Sequence, residues 1–87
     1  MAQVNKRDVW AVQFLWREFG NGGFKAWQAA EVTPTQQDKY GIHTATAPGV
    51  PCSISGWQRR LQTLEERGLV RKINGLWSIA DAAREFI

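Results

Sequence analysis

The sequence predicts one small α+β domain, mainly α, occupying residues 1–87 and carrying a single two-stranded hairpin. Three observations predict it. Apolar residues recur at helical spacing in two long segments, 5–19 and 54–67. An Asn74-Gly75 pair separates two short alternating segments, the pattern of a tight hairpin. The chain has 87 residues, of which 44% are hydrophobic and 22% charged, enough apolar material for one core and no more.

The first helix is expected from about Asn5 to Phe19. Val12, Leu15, Trp16 and Phe19 form one stripe, and Val9 extends it by a turn. Asn5 caps the start and Asp8 lies in the favourable first turn. Gly20-Asn21-Gly22-Gly23 ends the helix, because glycine readily adopts the left-handed conformation that closes a C-terminus. A short second helix is expected over Phe24–Glu31, with Trp27 and Ala30 inward. Thr33-Pro34-Thr35-Gln36 reads as another start signal, for a brief helix running to Tyr40 and stopped by Gly41. Whether 24–40 is one bent helical region or two pieces stays open. Gly41 to Cys52 has no helical period and holds Pro48 and Pro51, so it is loop or short edge strand, expected to be the least ordered internal segment.

Ile54, Trp57, Leu61 and Leu64 define the clearest helix, capped by Ser53 and stopped by Gly68. The hairpin over Leu69–Ala80 follows. Its turn sets Ile73 against Leu76, Lys72 against Trp77, Arg71 against Ser78 and Val70 against Ile79. Val70, Trp77 and Ile79 then share the core face with the stem of Lys72, and Arg71 points away. A last short helix starts at Asp81. The expected core joins Trp57, Leu61, Leu64, Val70, Trp77 and Ile79 to Val12, Leu15 and Trp16, with Phe86 and Ile87 on the core or in a dimer seam.

Composition narrows the function classes. One cysteine, Cys52, makes no internal disulfide, and the N-terminal residues lack the apolar run of a secretory signal, so a cytoplasmic protein without a membrane partner is expected. His43 and Cys52 have no carboxylate placed by motif to orient the histidine, and adjacent Glu65 and Glu66 diverge on a helix. No metal-ligand spacing is present, and the 20–23 glycine segment lacks the Gly-Lys-Ser/Thr of a phosphate loop. The expectation is therefore no enzyme, no metal and no cofactor. Net charge is +3, concentrated in residues 53–75, where five basic residues (Arg59, Arg60, Arg67, Arg71, Lys72) meet two acidic ones. That concentration suits a phosphate-facing surface.

The segment SISGWQRRLQTLEERGLVRKINGLWSIADAAREF resembles the second half of winged helix-turn-helix DNA-binding domains. The resemblance rests on Ser53, Ser55, Trp57, Arg59, Arg60, Leu61, Leu64, Glu65, Gly68, Leu69 and Val70, and on Arg71 to Ile79 as the wing. It covers residues 53–86 well and 5–32 loosely. It departs from the family in the long segment between Glu31 and Ser53, where members usually have a turn of a few residues, and in Ser78 to Asp81, where many have a threonine. The resemblance implies a recognition helix over about 53–67 and a basic wing over about 69–80 that bind double-stranded DNA, with a regulatory or accessory role in transcription. The outward positions of the helix are Ser55, Gly56, Gln58, Arg59 and Gln62. Arg59 is suited to guanine, Gln58 or Gln62 to adenine, and Gly56 to close backbone approach. Arg60, Arg71 and Lys72 are expected on phosphates, with His43 or Lys39 touching DNA from the 41–52 side. The alternative is a winged-helix protein-interaction module using exposed Ile73 and Leu76, and a homodimer or partner protein fits either reading.

Overall fold

The computed structural model describes residues 4–87; residues 1–3 of the expected domain lie outside the described set. In chain order the elements are α1 (Lys6–Phe19), α2 (Ala26–Val32), β1 (Thr35–Gln37), β2 (His43–Ala45), α3 (Ile54–Glu66), β3 (Val70–Ile73), β4 (Leu76–Ile79) and a 3₁₀ helix (Asp81–Phe86). This is a small α+β architecture with three α-helices and two antiparallel hairpins, β1–β2 and β3–β4.

Local chemistry explains most boundaries. Asn5 and Asp8 form a reciprocal capping box, with the Asp8 N–H donating to Asn5 Oδ1 at 2.9 Å and the Asn5 N–H to Asp8 Oδ2 at 3.2 Å. At the end of α3 the Leu69 N–H donates to the Leu64 carbonyl and the Gly68 N–H to that of Glu65. These are the two bonds of a Schellman ending, and Gly68 supplies the positive φ of 75° that it needs. Asn74 and Gly75 both have positive φ, and the β3–β4 register is the expected one at all four pairs.

The segment after α2 differs from the expected helix over 33–40. It is the β1–β2 hairpin, with Thr35 opposite Ala45, Gln36 opposite Thr44 and Gln37 opposite His43. Two physical reasons account for the change. The Thr33 hydroxyl ends α2 instead of starting a new helix: it donates to the Ala29 carbonyl at 2.6 Å and accepts the indole N–H of Trp57 at 3.0 Å. Asp38 then builds a turn, its Oδ1 accepting the backbone N–H of Tyr40 at 2.8 Å and of Ile42 at 2.9 Å. Within the expected loop over 41–52, residues 43–45 are thus a hydrogen-bonded strand.

The core sits between α1, α2, α3 and the β3–β4 hairpin, and Trp57 is at its centre. Trp57 is fully buried, stacks on Phe14 of α1 at 5.9 Å between ring centroids, and bonds to Thr33 at the end of α2. Val12, Leu15, Leu61, Leu64, Val70, Trp77 and Ile79 are buried with it. Trp16 is only partly buried, packed against this cluster, as is Phe86, whose carbonyl accepts from Gln13 Nε2. Trp27, expected inward, is 49% exposed, and Ile54, the first residue of the apolar pattern that defines α3, is 50% exposed. Phe24 makes a two-way backbone bridge with Trp77, at 2.7 and 2.9 Å, which ties the start of α2 to the second hairpin.

Among the described residues Asp8 is the one fully buried charge. Its carboxylate pairs with Arg67, by a short hydrogen bond, and with Arg60, whose Nη1 lies 3.0 Å from Oδ1. The Arg60 contact is one of charge, since Asp8 Oδ1 makes no aligned hydrogen bond. Burial pushes the Asp8 pKa up. The Asn5 N–H, the Arg67 guanidinium and the charge of Arg60 outweigh burial and hold the carboxyl below its ordinary 3.8.

Two predictions follow from this packing. Trp57→Ala is expected to cost ~3–5 kcal/mol, read as a lower urea midpoint, since it empties the centre of the core. Asp8→Asn is expected to cost about 3 kcal/mol at neutral pH, because two arginines lose their counter-charge. A lowered native pKa contributes stability that is complete above the unfolded value and is lost as pH falls through the native one. The gap between wild type and Asp8→Asn should therefore be constant from pH 7 to about pH 5 and close in stronger acid. Urea titrations at a series of pH values test this, and a constant gap down to about pH 2 would exclude it.

Candidate nucleic-acid interface

The capped helix α3 turns its apolar side to α1 and α2 and leaves its other side open. Ser53 is spent on the cap, its Oγ accepting the Gly56 N–H at 3.0 Å. Ser55, Gln58, Arg59 and Gln62 are exposed. The structure then parts Gln58 and Gln62 from Arg59, which line two grooves on opposite flanks of α3, and Ser55 lines neither.

The first groove, about 380 Å³, lies between α3, the start of α2 and the β3–β4 hairpin. Gln58 and Gln62 face Lys72 and Trp77 across it, Lys25 and Trp27 of α2 close one side, and no carboxylate lines it. Lys72 lies over the Trp77 ring, 5.3 Å from its centroid, so its stem is held on the core side while the ammonium reaches the groove. The Phe24–Trp77 bridge sets the width of this groove, because it fixes α2 relative to the hairpin.

The second groove, about 320 Å³, lies between α3, the start of α1 and the 49–51 segment. Arg59 and Arg60 enter it from α3 and Arg7 from α1. Arg60 is the residue whose placement changes most. Expected on phosphate, it is largely buried, its charge set on Asp8 and its Nε directed to the Gly49 carbonyl at 3.4 Å. Gly56 also has a different role from the one expected. A Cβ on it would lie 2.8 Å from Pro51 Cβ and 2.9 Å from Ser53 Oγ, so its missing side chain admits Pro51. Arg71 is exposed on the opposite face of its hairpin from Lys72 and lines neither groove.

Of the expected site residues, then, Gln58, Gln62 and Lys72 come together, and Gly56, Arg59 and Arg60 come together elsewhere. Lys25, Trp27 and Arg7 are additional groove residues. Lys25 and Trp27 are placed by the Phe24–Trp77 bridge, a pairing across the chain that no local pattern announces. The Cys52 thiol donates to the backbone carbonyl of His43 at 3.6 Å, a bond to the main chain rather than to the imidazole. No protein-family profile, curated protein or solved structure matches the chain.

Gly56→Ala tests the packing role of this glycine. Alanine is the better helix former by about 1 kcal/mol, but the contact with the ring of Pro51 falls inside van der Waals distance. The expected result is a net loss of ~1–2 kcal/mol in a thermal or urea melt. Unchanged or raised stability would show that Pro51 yields.

Proposed function

We propose that this chain is a winged helix-turn-helix domain that binds double-stranded DNA, with α3 as the recognition helix and β3–β4 as the wing. The observation that carries the reading is the first groove: two glutamines of α3 lie open beside two lysines from flanking elements, with no acidic residue among the lining. A helix fits the major groove, where a side-chain amide pairs bidentately with adenine, and ammonium groups on either side suit the phosphate backbone. Gln58 and Gln62 are the base-reading pair in this proposal, with Ser55 beside them. Lys25, Lys72 and Arg71 hold phosphates, and Arg59 bears on DNA from the other flank. The biological role we infer is regulatory or accessory to transcription in the cytoplasm, in which a second copy or a partner protein adds the affinity that one small domain lacks. Among the described residues no helix is long and apolar enough to cross a membrane.

The second reading is a protein-interaction module of the same fold. It is favoured by Ile73 and Leu76, which are 51% and 39% exposed at the tip of the β3–β4 hairpin.

Duplex binding measured across a salt series separates the two. Lys72→Ala and Arg71→Ala are each expected to weaken all sequences alike and to lower the salt slope by roughly one. Gln62→Ala is expected to relax preference at one base pair, at a cost of ~1–3 kcal/mol, with the slope unchanged. Absence of salt-dependent binding by the wild type at low ionic strength would leave the interaction module as the reading.

A further inference from the structure

The second groove gathers more positive charge than the fold needs. Asp8 lies beneath it and is already paired twice, by Arg60 and by Arg67 from the end of α3. One carboxylate therefore balances one of those two guanidiniums and leaves the cluster cationic. Arg7 and Arg59 add two more guanidiniums at the rim, and no carboxylate lines the groove. Arg60 forms the floor of the groove: its Nη1 faces Asp8 Oδ1 at 3.0 Å, its Nε donates to the Gly49 carbonyl, and its buried Nη2, like Asp8 Oδ1, has no aligned hydrogen-bond partner among the described residues.

The framework around it is fixed. Gly49, at φ 79°, brings the 49–51 segment close to α1: a Cβ there would lie 3.0 Å from the Arg7 carbonyl and 3.2 Å from Trp10 Cβ. Pro51 packs on Gly56 as described. These two contacts hold the wall between α1 and α3, so Arg7 and Arg59 face one space from two elements. Guanidinium groups converging from two helices suit a tetrahedral oxyanion, whose oxygens accept paired N–H donors.

We propose that the Arg7–Arg59–Arg60 groove seats a phosphate group. Resting on the duplex-binding reading, that group is a backbone phosphate on the flank of α3 away from the wing. It widens the contact to α1 and makes Arg59 a phosphate ligand rather than a reader of guanine.

The test uses the full chain as wild type, Arg7→Gln and Lys72→Gln. Arg60 is left intact because of its pairing with Asp8. Side-chain Nε–Hε signals of the arginines are followed by NMR during titration with inorganic phosphate, a nucleoside monophosphate and a random-sequence duplex. Duplex affinity is measured across the salt series. The expected result is that the duplex shifts the Arg7 and Arg59 signals. Arg7→Gln should weaken duplex binding roughly tenfold at about 50 mM salt and lower the salt slope by about 0.9, as far as Lys72→Gln does from the other flank. If the wild type binds duplex and Lys72→Gln alone lowers the slope, the phosphate seat is overturned while the duplex reading stands. If the wild type binds no duplex, but inorganic phosphate or the monophosphate shifts Arg7 and Arg59 and Arg7→Gln abolishes this, the seat stands for a free phosphoryl ligand and the duplex reading falls. No shift with any of the three ligands overturns the seat.

Discussion

The buried carboxylate of Asp8 is the constraint around which the arrangement of helices and charges is organised. It belongs at once to the capping box that starts α1 and to an ion-pair network reaching the middle and the end of α3. A lone buried carboxylate would be strongly disfavoured, so the network exists only when α1 and α3 are in register. Such a group adds little net stability over an apolar substitute, but it discriminates against sliding or rotation of one helix on the other. Apolar stripes alone tolerate such slippage more easily.

Trp57 completes the three-helix arrangement from the apolar side. Its ring stacks on Phe14, and its indole N–H finds the Thr33 hydroxyl, so one side chain of α3 touches α1 and the last residue capping α2. This matters for function because the buried side of α3 fixes which residues its other side presents. The Phe24–Trp77 bridge does the same for the β3–β4 hairpin, joining it to the start of α2. The open groove between Gln58, Gln62 and Lys72 is a consequence of these contacts rather than of any local preference.

The same contacts redistribute the positive charge. Five basic residues cluster between 53 and 75, but Arg60 and Arg67 are turned onto Asp8. In exchange, Lys25 and Arg7 come in from segments whose own composition is nearly neutral. The surface of α3 thus carries two basic grooves of different character. One is rich in amides and flanked by lysines, and the other is made of arginines around a fixed loop. Phosphate contacts set position and amide contacts can read bases, so the division suits a duplex-binding helix held on both flanks.

The amino-acid sequence by itself determined the elements whose signals are local. The α1 cap at Asn5, the α3 stripe through Trp57, Leu61 and Leu64, the Gly68 ending and the Asn74-Gly75 turn each depend on neighbouring residues, so their spacing reveals them. The β3–β4 register followed from its turn, and the exposure of Gln58, Arg59 and Gln62 from helical period. Where a side chain had a choice of partners, tertiary structure decided. Thr33 offers its hydroxyl equally to a new helix or to a distant indole, and Trp57 took it, leaving 35–45 to form a hairpin around Asp38. Arg60 has the same charge and period as Arg59, but its position beside the buried Asp8 turned it inward. Gly56 looked like an opening toward a ligand, and Pro51 fills it. For Thr33 and Arg60 the deciding partner is remote in sequence and buried by the fold, and for Gly56 it is a half-buried loop residue whose position depends on how the 49–51 segment packs; such pairings have no periodic trace along the chain.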